Sequence, residues 1–432
     1  MSLTAALGDH DRDTTQVTLA NGVRVVTIHL PYLQTASVSV FVRSGSAHEK
    51  RRDNGISHVI EHMAFKGTTE RDARRLNLDA ERLGAEVNAH TDKDHTAFHM
   101  RGLGPHAPTF VRMLGDIVLH ATYPEAELLH ERDVLLHEFI EDEDDPMSAA
   151  FKLLDRACYG QHPLAQPVIG TRANIERFTR ADLVAHVASQ YTGANVVVAA
   201  AGAINPEAIQ REAEACFGAM PRGEKNQLLA PPYLGGLRTR NLAGSNQTHL
   251  VMGFPIPTLQ ADDPTGAVAA ALFGEGMSSP LMDQLRERQG LVYYAACSAD
   301  VIDSAGQFVV DASTSPAQLF DCLGALSRLL ATQADTIAPV DLERAHNQIL
   351  VRRLHALEKP GRRLEEAALA LFVHGKLRSR ADWLARVEAV TADQVRATFA
   401  TMLGAGASLA ITGRVARGAA DRAREILAAS GL

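Results

Sequence analysis

"RLGAEVNA", residues 82–89, returns as "RQGLVYYA" at 288–295, with arginine, glycine and alanine in step at an offset of 206. Both copies run on into alternating, strand-like sequence, "TAFHMRGL" (96–103) and "GQFVVDAS" (306–313). Further along, "IERFTRADL" (175–183) matches "VEAVTADQV" (387–395) at an offset of 212. In each, a threonine can cap a helix and meet a partner three residues later, Thr179 with Asp182 and Thr391 with Gln394. Small-residue runs follow, "ANVVVAAAG" ending at Gly202 and "ASLAITG" ending at Gly413, at an offset of 211. Three matches at nearly one offset make the chain a duplication with a period of about 210 residues.

The 432 residues therefore divide into an N-terminal domain (1–222), a linker (223–240) and a homologous C-terminal domain (241–432). The linker is read from "PRGEKNQLLAPPYLGG" (221–236), which is rich in proline and glycine and has no period. "VTLANGVRVVTIHL" (17–30) reads as a hairpin turning at Asn21-Gly22, ahead of the strand "ASVSVFVRSGS" (36–46). "AELLHERDVLLHEFI" (126–140) and "PAQLFDCLGALSRLLATQ" (316–333) carry helical apolar spacing. The expected fold is α+β: two similar half-domains, each a mainly antiparallel sheet covered by helices on one face.

Bulk composition narrows the function. Lys plus Arg number 43 against 51 Asp plus Glu, a net charge of −8. That balance argues against a nucleic-acid partner, whose binding is dominated by basic patches on the phosphate backbone. No run approaches the roughly 18 apolar residues of a membrane span. The start, "MSLTAALGDHDRDTTQ", has no basic segment followed by an apolar core, so no secretory signal is expected. Cys158, Cys216, Cys297 and Cys322 are scattered without a C-x-x-C pair, which fits a cytoplasmic chain with reduced thiols.

"GISHVIEHMAFKGT" (55–68) carries the chemistry. Asp53 or Asn54 can cap a helix start there, and Gly67 can supply a left-handed stop. At about 100° per residue, His62 falls about 40° from His58, and Glu61 about 60° to the other side. Two imidazoles at i and i+4 can chelate Zn²⁺, and a neighbouring carboxylate can take a proton from water that the metal acidifies. A third ligand is needed. "HERDVLLHEFIEDEDDP" (130–146) offers His130, Glu131, His137, Glu138 and Glu141. Glu131 and Glu138, two turns apart, share one face, and geometry does not choose between them. The tail Glu141–Asp145 reads as a solvated charge run closing the helix.

"SHVIEHMAFKGT" (57–68) resembles the inverted zinc motif of the pitrilysin, insulinase and mitochondrial processing peptidase family, and the resemblance extends over most of the chain. It implies Glu138 as third ligand, with residues 63–137 lying between it and His62, and Glu131 as a supporting acid. By the same resemblance "GAEVNAHTDKDHTAF" (84–98) assigns substrate binding at a sheet edge to Asn88 and Ala89. "FGEGMSSPLMDQLRERQGLVYYA" (273–295) resembles the family's glycine-rich loop with its Arg and Tyr, here Arg286 and Tyr293, donors toward the scissile carbonyl. Glu275 and Pro280 depart from that loop's usual pattern.

The resemblance implies a zinc-dependent endopeptidase or oligopeptidase with one Zn²⁺ per chain. Its substrates are unfolded peptides, with basic ones favoured by the acidic balance. It also implies a second subunit, identical or a paralogue, to complete the chamber. The alternative is a non-catalytic partner subunit or scaffold that kept the fold. Two His and one carboxylate also suit non-haem iron.

Overall fold

The computed structural model describes residues 13–432, so most of the opening stretch read for a signal lies outside the described residues. Runs of Val, Ile, Thr and Phe make the strands. In the first half these are β1 (Thr14–Thr18), β2 (Arg24–His29), β3 (Thr35–Val42), β4 (Glu86–Thr91), β5 (Thr96–Leu103) and β6 (Val196–Gly202). The second half contributes β7 (Gly236–Asn241), β8 (Thr248–Pro255), β9 (Tyr294–Val301), β10 (Gly306–Thr314) and β11 (Ser408–Gly413). The Asn21-Gly22 turn joins β1 to β2, with Gly22 at φ 94° and the Leu19 N–H donating to the Val23 carbonyl. β7 begins inside the stretch 223–240 read as linker, so the end of that stretch is part of the second sheet.

The two sheets have orders β1-β2-β6-β3-β5-β4 and β7-β11-β8-β10-β9. Apart from the extra edge strand β1, they correspond strand for strand. In both, the pair β2·β6 or β7·β11 is parallel and the remaining neighbours are antiparallel. The helices correspond as well: Ala107–His120 with Leu319–Asp335, Glu125–Asp144 with Pro339–Leu357, Pro146–Tyr159 with Pro360–His374, and Arg180–Gln190 with Ala392–Gly404. Both capping boxes expected from sequence are formed, Thr179 with Asp182 and Thr391 with Gln394.

One expectation is corrected. Helices cover both faces of each sheet, because the halves exchange a helix. Pro360–His374 of the second half seals the far face of the first sheet, seating Leu364, Ala368, Leu371 and Phe372 against Val26, Ile28, Phe41, Val197 and Ala199. Reciprocally, Pro146–Tyr159 lays Ala150, Leu154 and Cys158 on Val251, Val309 and Ala410 of the second sheet. The strands require this cover. β6 and β10 are buried at every position, as strands enclosed on both sides are. β6 is apolar throughout, whereas β10 also buries Gln307, Asp311, Ser313 and Thr314. Each large apolar side chain so enclosed contributes about 1.5–3 kcal/mol. Among the described residues no helix is long and apolar enough to cross a membrane.

Candidate metal centre

The helix Ile56–Ala64 enters through Gly55, whose φ of 97° and close approach to Gly170 leave no room for a side chain. A Cβ on Gly55 would stand 2.7 Å from the Gly170 Cα. Neither Asp53 nor Asn54 caps this helix, contrary to the sequence reading. The cap comes from Glu49, which lies outside the helix and is 2 % exposed. Its carboxylate accepts from the Gly55 N–H at 2.7 Å, the Ser57 N–H at 2.8 Å and the Asn54 amide at 3.1 Å. Asn54 is spent on Glu49 and on the Pro167 carbonyl. The helix ends at Ala64, and Gly67 holds a φ of 141° beyond its Phe65 cap.

With the helix so fixed, His58 and His62 face the long helix Glu125–Asp144. His58 Nε2 lies 3.7 Å from one Glu138 oxygen and His62 Nε2 lies 3.5 Å from the other. The three candidate ligand atoms all fall within 4.8 Å of one another. Bonds of about 2.0–2.1 Å to a tetrahedral ion put neighbouring ligand atoms roughly 3.3 Å apart, so the donor set fits zinc. Burial, then the neighbouring His62, pushes His58 down to about 4, which keeps its imidazole neutral and able to ligate.

Glu131 and Glu138, equivalent by helical spacing, have different positions. Glu131 is buried and accepts the His62 Nδ1–H at 2.9 Å, while Lys66 Nζ sits 2.5 Å from its other oxygen. Burial alone would raise the Glu131 carboxyl, but Lys66 and His62 outweigh it and hold the group below its ordinary value. This contact fixes the His62 tautomer and leaves Nε2 free to ligate. His130 and His137 are exposed. Glu61 accepts from the Thr91 hydroxyl at 2.6 Å, and burial pushes its carboxyl above the ordinary value despite that bond. Thr91, Lys66 and Glu49 were not read from sequence as site residues. No local spacing signals them: Lys66 lies beyond the helix end at Ala64 and pairs with Glu131 of another helix.

Asn88 and Ala89 lie on β4, the edge strand of the first sheet. Asn88 is exposed and its side-chain oxygen accepts from the Ala89 N–H at 2.8 Å, while Ala89 stands opposite Phe98 in the β4·β5 register. The cleft beside the centre is lined by His58, Glu61, His90, Thr91 and Glu138, among others, but by neither Arg286 nor Tyr293. Arg286 lies on a π-helical turn, Asp283–Arg288, and Tyr293 is 62 % exposed just ahead of β9. The acidic run 141–145 closes the helix and is exposed at Glu141, Asp144 and Asp145, as read, but Asp142 and Glu143 are part-buried and paired. Lys152 bridges Asp142 and Glu143, Arg240 pairs with Glu143 at 2.6 Å, and Asp145 caps the next helix through the Ser148 N–H.

Comparisons with known proteins agree with this architecture. The family described as "Insulinase (Peptidase family M16)" matches residues 24–172, and "Peptidase M16 inactive domain" matches residues 177–349. A Mycobacterium leprae protein named as an uncharacterized zinc protease is 30% identical over 408 residues, covering 92% of this chain and 91% of that one. A Streptomyces coelicolor protein of the same description is 30% identical over 440 residues, covering 98% and 94%. In fold, the chain resembles a Pseudomonas fluorescens peptidase M16 inactive-domain structure, with TM-score 0.85, 20% identity, and coverage of 93% of this chain and 98% of that one. It also resembles a chain of complex III from Candida albicans, with TM-score 0.84, 18% identity, and coverage of 96% and 99%. The chain belongs to peptidase family M16, the insulinase family, in its short two-half form.

Proposed function

We propose that the chain is a zinc-dependent endopeptidase or oligopeptidase acting on unfolded peptides. The observation that carries this reading is the convergence of His58, His62 and Glu138, with Glu61 on the same cleft. His58, His62 and Glu138 would hold the ion. Zinc, when bound, supplies a Lewis acid that polarises the scissile carbonyl and lowers the pKa of water. Glu61, steadied by Thr91, takes a proton from the attacking water as the new C–O bond forms, and returns it to the amide nitrogen as the C–N bond breaks. Glu131 keeps His62 in its ligating tautomer.

The peptide adds as a further strand outside β4, pairing with the backbone near Asn88 and Ala89. Glu61, Glu138, Asp142 and Asp155 outnumber Lys93 and Lys152 around the cleft, which favours cationic peptides. Arg286 and Tyr293 reach the oxyanion from a second subunit, either a second copy or a paralogue. Their exposure, with neither of them among the residues lining the cleft, supports this arrangement. Four unpaired cysteines fit a reducing compartment, the cytoplasm.

A non-catalytic partner subunit is the second reading, favoured by the shared fold with the complex III chain. Zinc held through His58, His62 and Glu138, together with one substitution, separates the two. Glu61→Gln should retain zinc and lose hydrolysis, because an amide cannot carry the proton. Peptide cleavage by Glu61→Gln at the wild-type rate would refute the role given to Glu61. Absence of zinc from those three ligands in the wild-type chain would favour the partner subunit.

A further inference from the structure

A second group of metal-ligating side chains stands at the far end of β4, where the tight turn Asp92–His95 leads into β5. His90, Asp92, His95 and Glu365 bring one donor atom each within 4.8 Å of one another. His90 Nε2 and His95 Nε2 are 3.3 Å apart, and an Asp92 oxygen lies 3.8 Å from the first and 3.9 Å from the second. Edges of this size surround a tetrahedral ion, whose neighbouring ligands stand roughly 3.3 Å apart. They are too long for Asp92 to accept a hydrogen bond from either ring. Asp92 thus converges on the two imidazoles without bonding either, while the two Nε2 atoms lie within hydrogen-bond distance of one another. Glu365 has an ion pair with Arg362, three residues before it, at 2.9 Å.

The remaining ring nitrogens are already committed. His95 Nδ1 faces Asp94 Oδ1 at 2.7 Å, and His90 Nδ1 faces His99 Nε2 at 2.8 Å. His99 Nδ1 in turn meets Ser39 Oγ at 3.2 Å. Nδ1–H donation along these contacts leaves lone pairs on both Nε2 atoms, the outer-shell arrangement that metal-binding histidines adopt. His95 is 2 % exposed, whereas the Asp92 side chain is open to solvent and offers a way in. Ligating as neutral imidazoles, the two rings together with two carboxylates would balance the charge of a dication, the ion displacing any ring proton as metal binding does. Imidazole donors select zinc, cobalt or nickel over magnesium and calcium.

We propose that His90, Asp92, His95 and Glu365 form a second, structural site for a zinc-type divalent ion, separate from the one formed by His58, His62 and Glu138. Four protein ligands make it a closed site, with no position left for substrate. It joins the end of the β4 edge strand to the exchanged helix Pro360–His374, so the ion clamps the two halves of the chain together. The inference does not depend on hydrolysis.

The test uses the full chain carrying His58→Ala and His62→Ala, loaded with Zn²⁺, freed of excess by gel filtration and assayed for zinc by mass spectrometry. One ion per chain should remain, against two in the wild type. Cobalt in the same variant should show tetrahedral visible absorption. Adding Asp92→Ala and Glu365→Gln should abolish that binding. Asp94→Asn should weaken it about 10- to 100-fold by releasing His95. A folded His58→Ala/His62→Ala chain that retains no zinc would overturn the proposal, and so would zinc retained unchanged after the two carboxylates are removed. Should the histidine variant fail to fold, Asp92→Ala/Glu365→Gln in the otherwise wild-type chain serves instead. One ion per chain supports the site, and two refute it.

Discussion

Replacing Glu131 by glutamine tests whether a residue that touches no substrate governs the centre. The wild-type carboxylate accepts from His62 with one oxygen and faces Lys66 with the other, in a side chain only 9% exposed. Glutamine has two ways to sit there. With its oxygen toward His62, its NH₂ group points at the Lys66 ammonium, and a charge-assisted bond of about 1.5–3 kcal/mol is lost. Lys66 is 28% exposed and can turn to water, which offsets part of that cost. With the amide reversed, its NH₂ group meets His62 Nδ1 and drives the ring proton to Nε2, the atom that faces Glu138.

Either orientation weakens zinc binding, by about 10- to 100-fold, the range for outer-shell partners of ligating histidines. That is about 1.4–2.7 kcal/mol. The assay is chelator competition on the full chain, paired with thermal unfolding of the metal-free form. The zinc affinity should fall by the stated factor, while the metal-free unfolding temperature should move only slightly. Glu131→Gln with wild-type zinc affinity would reduce Glu131 to a buried acid paired with Lys66, and the orienting role would be lost.

Glu49→Ala leaves the Gly55, Ser57 and Asn54 donors without their shared acceptor. At about 1–3 kcal/mol for each unsatisfied buried group, amide exchange in the helix Ile56–Ala64 should accelerate at least tenfold; unchanged exchange would deny the cap. Chains carrying Glu61→Gln and chains carrying Arg286→Ala/Tyr293→Phe should each be nearly inactive, and mixtures that exchange subunits should recover activity. No recovery despite demonstrated exchange would exclude a site shared between copies of this chain. Against the effect of burial, Lys152 and Arg240 hold Glu143 below its ordinary 4.5. A depressed carboxylate contributes stability above the unfolded value and loses it as pH falls through the folded one. Acid unfolding monitored below about pH 4.5 should therefore be less steep in Glu143→Gln; an identical profile would mean the network is neutral.

The duplication was legible because each half repeats its local grammar: a threonine cap, a small-residue strand and a terminal glycine at one offset. Spacing placed His58, Glu61 and His62 in one wedge, since 3.6-residue periodicity is a property of the helix alone. Spacing left Glu131 and Glu138 equivalent, because their difference lies in depth against the first helix, which only packing sets. Thr91, Lys66 and Glu49 escaped for a related reason. The roles of Thr91 and Lys66 are contacts across the fold. Glu49 acts from five to eight residues away, outside the helix it caps. Together with the Pro167 carbonyl it takes up Asn54, one of the two expected caps. Within the acidic run, the pairing of Asp142 and Glu143 was not legible because their cations, Lys152 and Arg240, lie on other elements.

The exchanged helices also bear on how the chain is made. As synthesis proceeds from the N-terminus, the face of the first sheet bearing Val26, Ile28, Phe41, Val197 and Ala199 is finished long before the helix at 360–374 that seals it has been translated. A nascent chain of half length therefore holds an uncovered greasy surface, together with a helix, Pro146–Tyr159, whose own seat does not yet exist. Such surfaces invite aggregation, and a holding chaperone is a natural guardian of that interval. The finished molecule resembles a swapped dimer fused end to end. Cutting the 221–235 connection would leave two fragments still clasped through their traded helices.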